Sequence, residues 1–226
     1  TRPPKKRIDT SRKADVRVVC GATGSAKSSY VKAELKRLKC PRVIIWDPVD
    51  EYGELEGIVK VTTASALVDI LRRYPRGALK VRFVTTNFKL FEVWAQCAFS
   101  WCNAAVVAEE IADVTSPSKA PPWWGQVIRK GRARGLAPIF ALTQRPAESD
   151  KTALGNATII RCGRLSRAAD RRTDRTGPAA RQYGDAGRAC AASDDSDCAR
   201  RCADDQGSGR DRPRQAAQVR RRLPRP

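Results

Sequence analysis

The chain has 226 residues, with 44 Lys or Arg against 24 Asp or Glu and a formal net charge of +20. That length suits one α/β domain or one and a half and allows a real core. No run of eighteen apolar residues exists to cross a membrane as a helix, no charged and then apolar segment opens the chain as a secretory signal, and the absence of His excludes His-based triads and most catalytic zinc sites. Met is also absent and Thr1 comes first, which predicts a piece of a longer translation product.

Residues 1–15 read as a polar basic arm carrying Lys5, Lys6, Arg7, Arg12 and Lys13. A solvated terminus is the plain reading, and a nucleic-acid-facing arm is the alternative. Val16–Cys20 is a short β-branched strand. Ser28–Lys39 has helical spacing, with Val31, Leu35 and Leu38 on one side. Arg42–Trp46 (RVIIW) and Ile58–Val61 are the next strands. Ala64–Tyr74 is a helix closed by Pro75 and Gly77. Lys80–Thr85 alternates as a strand does, Leu90–Trp101 is helical, and Ala104–Ala108 (AAVVA) is a short buried strand. Pro121–Arg134 is a basic helix with Pro at its start and Gly135 after it. Pro138–Leu142 and Thr158–Cys162 are the last strands. Strands and helices in alternation, with near-continuous apolar strands, predict an α/β fold with a mainly parallel sheet covered on both faces.

From Ser166 to Pro226 there are 15 Arg, no Lys and nine acidic residues, and Val219 and Leu223 are the only large aliphatics. So little apolar surface cannot offset the entropy of ordering, which predicts a disordered tail over 166–226 behind a core over 16–165. The tail also has the composition of GC-rich DNA read out of frame. The core keeps 29 basic and 15 acidic side chains, a net charge of +14. Of eight cysteines, Cys20, Cys40, Cys97, Cys102 and Cys162 lie in or beside apolar runs and act as small hydrophobes. Cys198 and Cys202 have neither a CxxC pair nor a His nearby, so neither zinc nor a disulfide framework is expected, and the compartment reads as reducing.

Residues 21–29 read GATGSAKSS between a strand and a helix, the context of a phosphate-binding loop. Gly21 and Gly24 let the backbone curl so that N–H groups of the Thr23–Ser29 stretch, including Ser25, Ala26 and Ser29, face phosphate oxygens, and the helix adds its positive end. Lys27 reaches the β and γ phosphates and the Ser28 hydroxyl ligates Mg²⁺. This predicts ATP and Mg²⁺ as ligands. Ala26 stands where the usual motif has Gly. It fits if its φ is negative and is strained if φ is positive. The AAVVAEE segment at 104–110 reads as a strand ending in two carboxylates. Glu109, where Asp is more usual, would hold the metal shell and Glu110 would orient or deprotonate the attacking water. Gln144 follows the next apolar strand, placed to touch both the γ-phosphate and that water, and Arg145 is a candidate for phosphate charge or a neighbour.

Four segments together resemble the FtsK–HerA superfamily of DNA-pumping ATPases: GATGSAKSS, WDPVDEYG at 46–53, AAVVAEE, and TQRPAESDK at 143–151. The second and fourth discriminate, since a phosphate loop alone is shared with many families. The resemblance covers about residues 16–165 and implies a RecA-like core, phosphates at Gly24, Lys27 and Ser28, metal and water activation at Glu109 and Glu110, sensing at Gln144, and places for Asp47 and Glu51 near the nucleotide. It also implies a hexameric ring moving double-stranded DNA without sequence preference, in a bacterial cytoplasm or with a virion, with capsid or portal-vertex proteins as partners. Ring ATPases need an arginine in trans, for which Arg129, Arg132 and Arg134 are candidates, while Lys130, Arg132 and Arg134 are candidate DNA contacts. Trp123 and Trp124 read first as packing residues and second as base-stacking ones. Residues 112–120 read as a connector or a pore loop. The alternatives are a filamentous-phage assembly and export ATPase and a basic nucleic-acid-binding protein with a weakened nucleotide site.

Overall fold

The computed structural model describes residues 8–176. The basic cluster at 5–7 and the expectation for 177–226 lie outside them. Seven strands form one sheet: β1 (Val16–Cys20), β2 (Arg42–Trp46), β3 (Ile58–Val61), β4 (Leu79–Phe83), β5 (Ala105–Ala108), β6 (Ile139–Thr143) and β7 (Ile159–Cys162). Their spatial order is β3-β4-β2-β5-β6-β1-β7, and every pairing is parallel. The four central strands are buried along their whole length, whereas the edge strands β3 and β7 are partly exposed. This is why the central strands read as unbroken apolar runs rather than alternating ones.

Helix α1 (Lys27–Arg37) packs Val31 and Leu35 on one face of the sheet beside Tyr52. Helices α2 (Ala64–Arg73), α3 (Phe91–Trp101), α4 (Pro122–Lys130) and α5 (Lys151–Gly155) contribute to the core on the other face. The Thr63 side chain caps α2 by accepting from the Ala66 N–H at 3.2 Å. Glu92, in the first turn of α3, caps α4 from outside, accepting from the N–H groups of Trp123 (3.0 Å) and Trp124 (3.3 Å). The basic helix is shorter than its sequence suggests. It ends at Lys130 and passes into a 3₁₀ turn over Gly131–Arg134, closed by Gly135 at φ 68°. At the bend Gly131 packs closely on Ile139 and Leu136, where a Cβ would lie 2.8 Å from Ile139 Cδ1 and 3.3 Å from Leu136 Cβ.

Two elements were not visible in the periodicity. Helix α5 is five residues long, too short to show a repeat, and depends on Asp150, whose carboxylate caps it at Ala153 N. Helix α6 (Ala168–Thr176) lies beyond the expected boundary at 165. It is tied to the turn after β6 by a polar contact: Asp170 is buried and accepts from Ala147 N at 3.0 Å.

The core is built around Trp46 at the end of β2. Its ring meets Phe83 and Phe91 edge-on at 5.7 and 5.3 Å, and Phe91 stacks on Trp94 at 5.4 Å. Trp124 joins the same cluster, 5.6 Å from Phe91, and is fully buried, while half-buried Trp123 packs against Phe99. Both tryptophans are therefore packing residues. Such contacts add to the area buried by each ring. Trp46→Ala should lower stability by about 3–5 kcal/mol, read as a shift of the urea midpoint. A loss under about 1 kcal/mol would show that the cluster does not anchor the fold.

Candidate functional site

In a parallel sheet all strands end on one edge, and strand register decides which residues meet there. Cys20 of β1 pairs with Thr143 of β6, so Gly21 and Gln144 emerge side by side. Trp46 of β2 pairs with Ala108 of β5, so Asp47 emerges beside Glu109. Strand β6 lies between β1 and β5 and sets Gln144 between the glycine-rich loop and the acidic pair.

The loop is held at both ends. Gly21 N donates to Thr143 O at 3.1 Å, and Ala22 N donates to Arg164 O at 2.8 Å beyond β7. A Cβ on Gly21 would sit 2.2 Å from Ser25 Oγ, and Gly24 has φ 79°. Both glycines are thus required by geometry. Among the described residues the N–H groups of Thr23, Gly24 and Ala26 have no acceptor, and the buried Ser25 hydroxyl has no partner. Unpaired donors at a helix start suit an anion such as phosphate. The Lys27 ammonium donates to the loop's own carbonyls, Gly21 O at 2.9 Å and Ala22 O at 3.4 Å. Ala26 has φ 56°, the strained case of the two that its sequence left open. A left-handed backbone at a non-glycine residue costs about 1–2 kcal/mol.

The Ser28 hydroxyl donates to Glu51, and the Tyr52 hydroxyl donates to Glu109. Asp47 is fully buried and positions this turn, accepting from Glu51 N at 2.9 Å, Tyr52 N at 3.2 Å and Arg82 at 3.2 Å. Asp47 is therefore a scaffold for Glu51 and Tyr52. The role of Tyr52 was not legible beforehand. The only signal was a polar aromatic inside an acidic turn, and its importance comes from β2 and β5 being neighbours. Ser28, Glu51 and Glu109 make an all-oxygen donor set, the kind that fits Mg²⁺.

Glu109 is 4% exposed, and burial pushes its carboxyl up to about 7 against the hydrogen bonds from Tyr52 and Ser28. Burial likewise raises the Tyr52 hydroxyl well above its ordinary value, reinforced by the Glu109 charge. Glu110 has φ 44° and accepts from Gln144 N at 3.0 Å, and burial raises its carboxyl as well. The Gln144 carboxamide accepts from Thr23 Oγ1 at 2.8 Å. Gln144 thus connects the loop to the second carboxylate. Arg145 is engaged by Asp113 at 2.5 Å and Glu148 at 3.1 Å. Within TQRPAESDK, Ser149 donates to Thr143 Oγ1 at 2.9 Å and Asp150 accepts from Trp124 Nε1 at 3.2 Å, so these residues build the turn.

Arg129, Lys130 and Arg132 are exposed, and Arg134 is held on Phe99, donating to its carbonyl at 3.2 Å. All four lie toward the opposite edge of the sheet, where β6 begins. The structure therefore does not bring them to the loop of the same subunit.

A glycine-rich loop and an acidic strand end separated by a third strand, on one edge of an all-parallel sheet, make an α/β fold of the P-loop NTPase kind. No family model matches the chain. Protein P9 of Pseudoalteromonas phage PM2 is 33% identical over 156 residues, covering 67% of this chain and 69% of that protein. The chain belongs to the family of that phage protein. The same fold occurs in the genome packaging NTPase B204 of Sulfolobus turreted icosahedral virus 2. Its ATP-gammaS complex gives a TM-score of 0.60 at 18% identity, covering 80% of this chain and 88% of that one. Its AMPPCP complex gives 0.57 at 19% identity, covering 75% and 84%.

Ala26→Gly should relieve the left-handed strain, less the entropy cost of glycine, and raise stability by about 0.5–1 kcal/mol. A lower Tm for this variant would contradict the strain assignment. The ligand-free protein should also be pH-sensitive through Glu109. Its folded value of about 7 lies above its ordinary 4.5, so the stabilisation is complete below about 4.5 and is lost as pH rises through about 7. Its size is at most roughly 3 kcal/mol. Urea midpoints should fall from pH 5 to pH 8, and Glu109→Gln should flatten that profile.

Proposed function

We propose that this chain is an ATPase that couples Mg²⁺–ATP hydrolysis to movement of duplex DNA, as a viral genome-packaging motor. The observation that carries this reading is the convergence of Lys27, Ser28, Glu109, Glu110 and Gln144 on one edge of the sheet. Membership in the family of a phage protein and the shared fold with a genome packaging NTPase support it.

Lys27 leaves the carbonyls of Gly21 and Ala22 and binds the β and γ phosphates. The unpaired N–H groups of the loop wrap the same phosphates. Ser28, Glu109 and, through Ser28, Glu51 hold the metal side of the site. Bound Mg²⁺ would supply charge neutralisation on the β and γ oxygens. Glu110 orients the water for in-line attack and accepts its proton, and its burial raises its proton affinity toward that task. Gln144 changes partner from Thr23 to the γ-phosphate and so registers its presence. Arg129 and Arg132, on the far edge, serve the phosphates of a neighbouring subunit, and this makes a homo-oligomeric ring the working form. The setting is a host cytoplasm or a virion, with capsid or portal-vertex proteins as docking partners. Among the described residues no helix is long and apolar enough to cross a membrane.

A second reading, a nucleic-acid-binding protein with a weakened nucleotide site, is favoured by the strained Ala26. ATPase assays with and without duplex DNA separate the two. The motor reading expects DNA-stimulated turnover, abolished in Lys27→Ala and lowered about 10²–10⁴-fold in Glu110→Gln with nucleotide binding retained. Nucleotide binding without turnover in the unaltered chain selects the second reading.

A further inference from the structure

The edge of the sheet opposite the nucleotide loop carries a cationic surface that extends well beyond the Arg129 and Arg132 assigned above to a neighbour's phosphates. In a parallel α/β sheet every helix runs back against the strands, so the last turns of the helices gather at the amino ends of the strands. Here those turns are basic. Helix α1 ends in Lys36 and Arg37, α2 in Arg72 and Arg73, and α4 in Arg129 and Lys130, while none of the three has an acidic residue in its first turn. Matching of the helix dipole by a single cation per helix is ordinary, but it does not call for the further cations Lys39 and Arg132 in the turns that follow.

These turns are joined into one surface by hydrogen bonds. Leu79 N donates to Pro41 O at 2.9 Å and Arg42 to Gly77 O at 2.7 Å, which ties the turn after α1 to the turn after α2. Trp101 Nε1 donates to Tyr74 O at 2.9 Å, which ties the end of α2 to the end of α3. Asn103 N donates to Arg134 O at 2.9 Å, which continues to the turn after α4. Asp9 N on Asn103 Oδ1 and Arg12 on Ala137 O, both at 2.9 Å, attach the incoming chain to the same belt. The Arg42 guanidinium lies 3.7 Å over the Trp101 ring in its middle.

On this belt Lys36, Lys39, Arg72 and Arg73 are exposed and make no ion pair among the described residues. The carboxylates Asp9, Asp15 and Glu34 are each held by an arginine, and Asp69 and Glu56 are the exposed exceptions. The nucleotide edge is mixed in charge: Asp47, Asp50, Glu51, Glu109, Glu110 and Asp113 gather there, with Asp47 and Asp50 paired to Arg82 and Asp113 to Arg145.

We propose that duplex DNA lies along the amino edge of the sheet, gripped through its phosphates by the last turns of α1 and α2. This rests on the DNA part of the proposed function and extends it to Lys36, Lys39, Arg72 and Arg73. Backbone contacts of this kind carry no sequence preference, and each released counterion shows in the salt dependence.

The test uses the full chain and a fluorescent 30-base-pair duplex of arbitrary sequence, with affinity measured across a salt series. K36Q/K39Q and R72Q/R73Q should each reduce the slope of log K against log salt by about 0.9 per lost contact. Binding of a fluorescent ATP analogue should be unchanged and serves as the folding control. The matched pair K89Q/K151Q, on the nucleotide edge, should leave the slope as it was. Equal losses in all three pairs would mean diffuse net charge and overturn the proposal. Unchanged slopes in the two helix pairs, with the unaltered chain binding DNA, would overturn this surface and leave the motor reading standing. Failure of the unaltered chain to bind duplex at all would overturn both.

Discussion

The parallel register of β1, β6 and β5 is the constraint on which the rest depends. Each strand is short and fully buried, so its chemistry is confined to the residue that follows its end. With β6 between the other two, the loop from β1 and the carboxylates from β5 cannot touch directly and communicate through what β6 places between them. Gln144 fills that position, bonded through its side chain to Thr23 and through its backbone to Glu110. A one-residue slip of β6 would turn Thr143 outward and carry Gln144 away from both, because side chains alternate along a strand.

The same edge stores strain and desolvation. Ala26 and Glu110 both have left-handed backbones, and Glu109 is buried beside Tyr52 and close to Ser28. Residues in such conformations persist where their surroundings over-determine them, and they concentrate at binding sites. Here the loop is pinned by Thr143 and Arg164, and the acidic pair by the ends of β2 and β6. A phosphate and a cation would meet unpaired N–H donors and crowded carboxylates respectively, so binding would relieve what the ligand-free site leaves unbalanced. The aromatic cluster under Trp46 supplies the rigid base, since Asp47 and the turn it organises begin directly after that ring.

The two edges of the sheet also differ electrically, and topology is the cause. Strand ends collect carboxylates around the loop, whereas helix ends collect lysines and arginines on the far side. The cations of the described fold are thus not spread evenly over its surface. Chain composition records their number but not this division.

Much was legible from residue order alone. Local patterns are enough for a buried strand, a helix with an apolar side, or a glycine loop between them, because each depends on neighbours in sequence. So the strands around VRVVC, RVIIW and AVVA, the loop at 21–29 and the acidic pair are visible without coordinates. A five-residue helix held by Asp150 and a polar helix held by Asp170 are not, since each relies on contacts distant in sequence. Strand order is likewise set by packing, and with it the meeting of Tyr52 with Glu109 and of Ser28 with Glu51. Residue order sets which groups are available for phosphate chemistry. Folding selects those that share a site, because proximity across a sheet comes from long-range strand pairing, which no local pattern encodes.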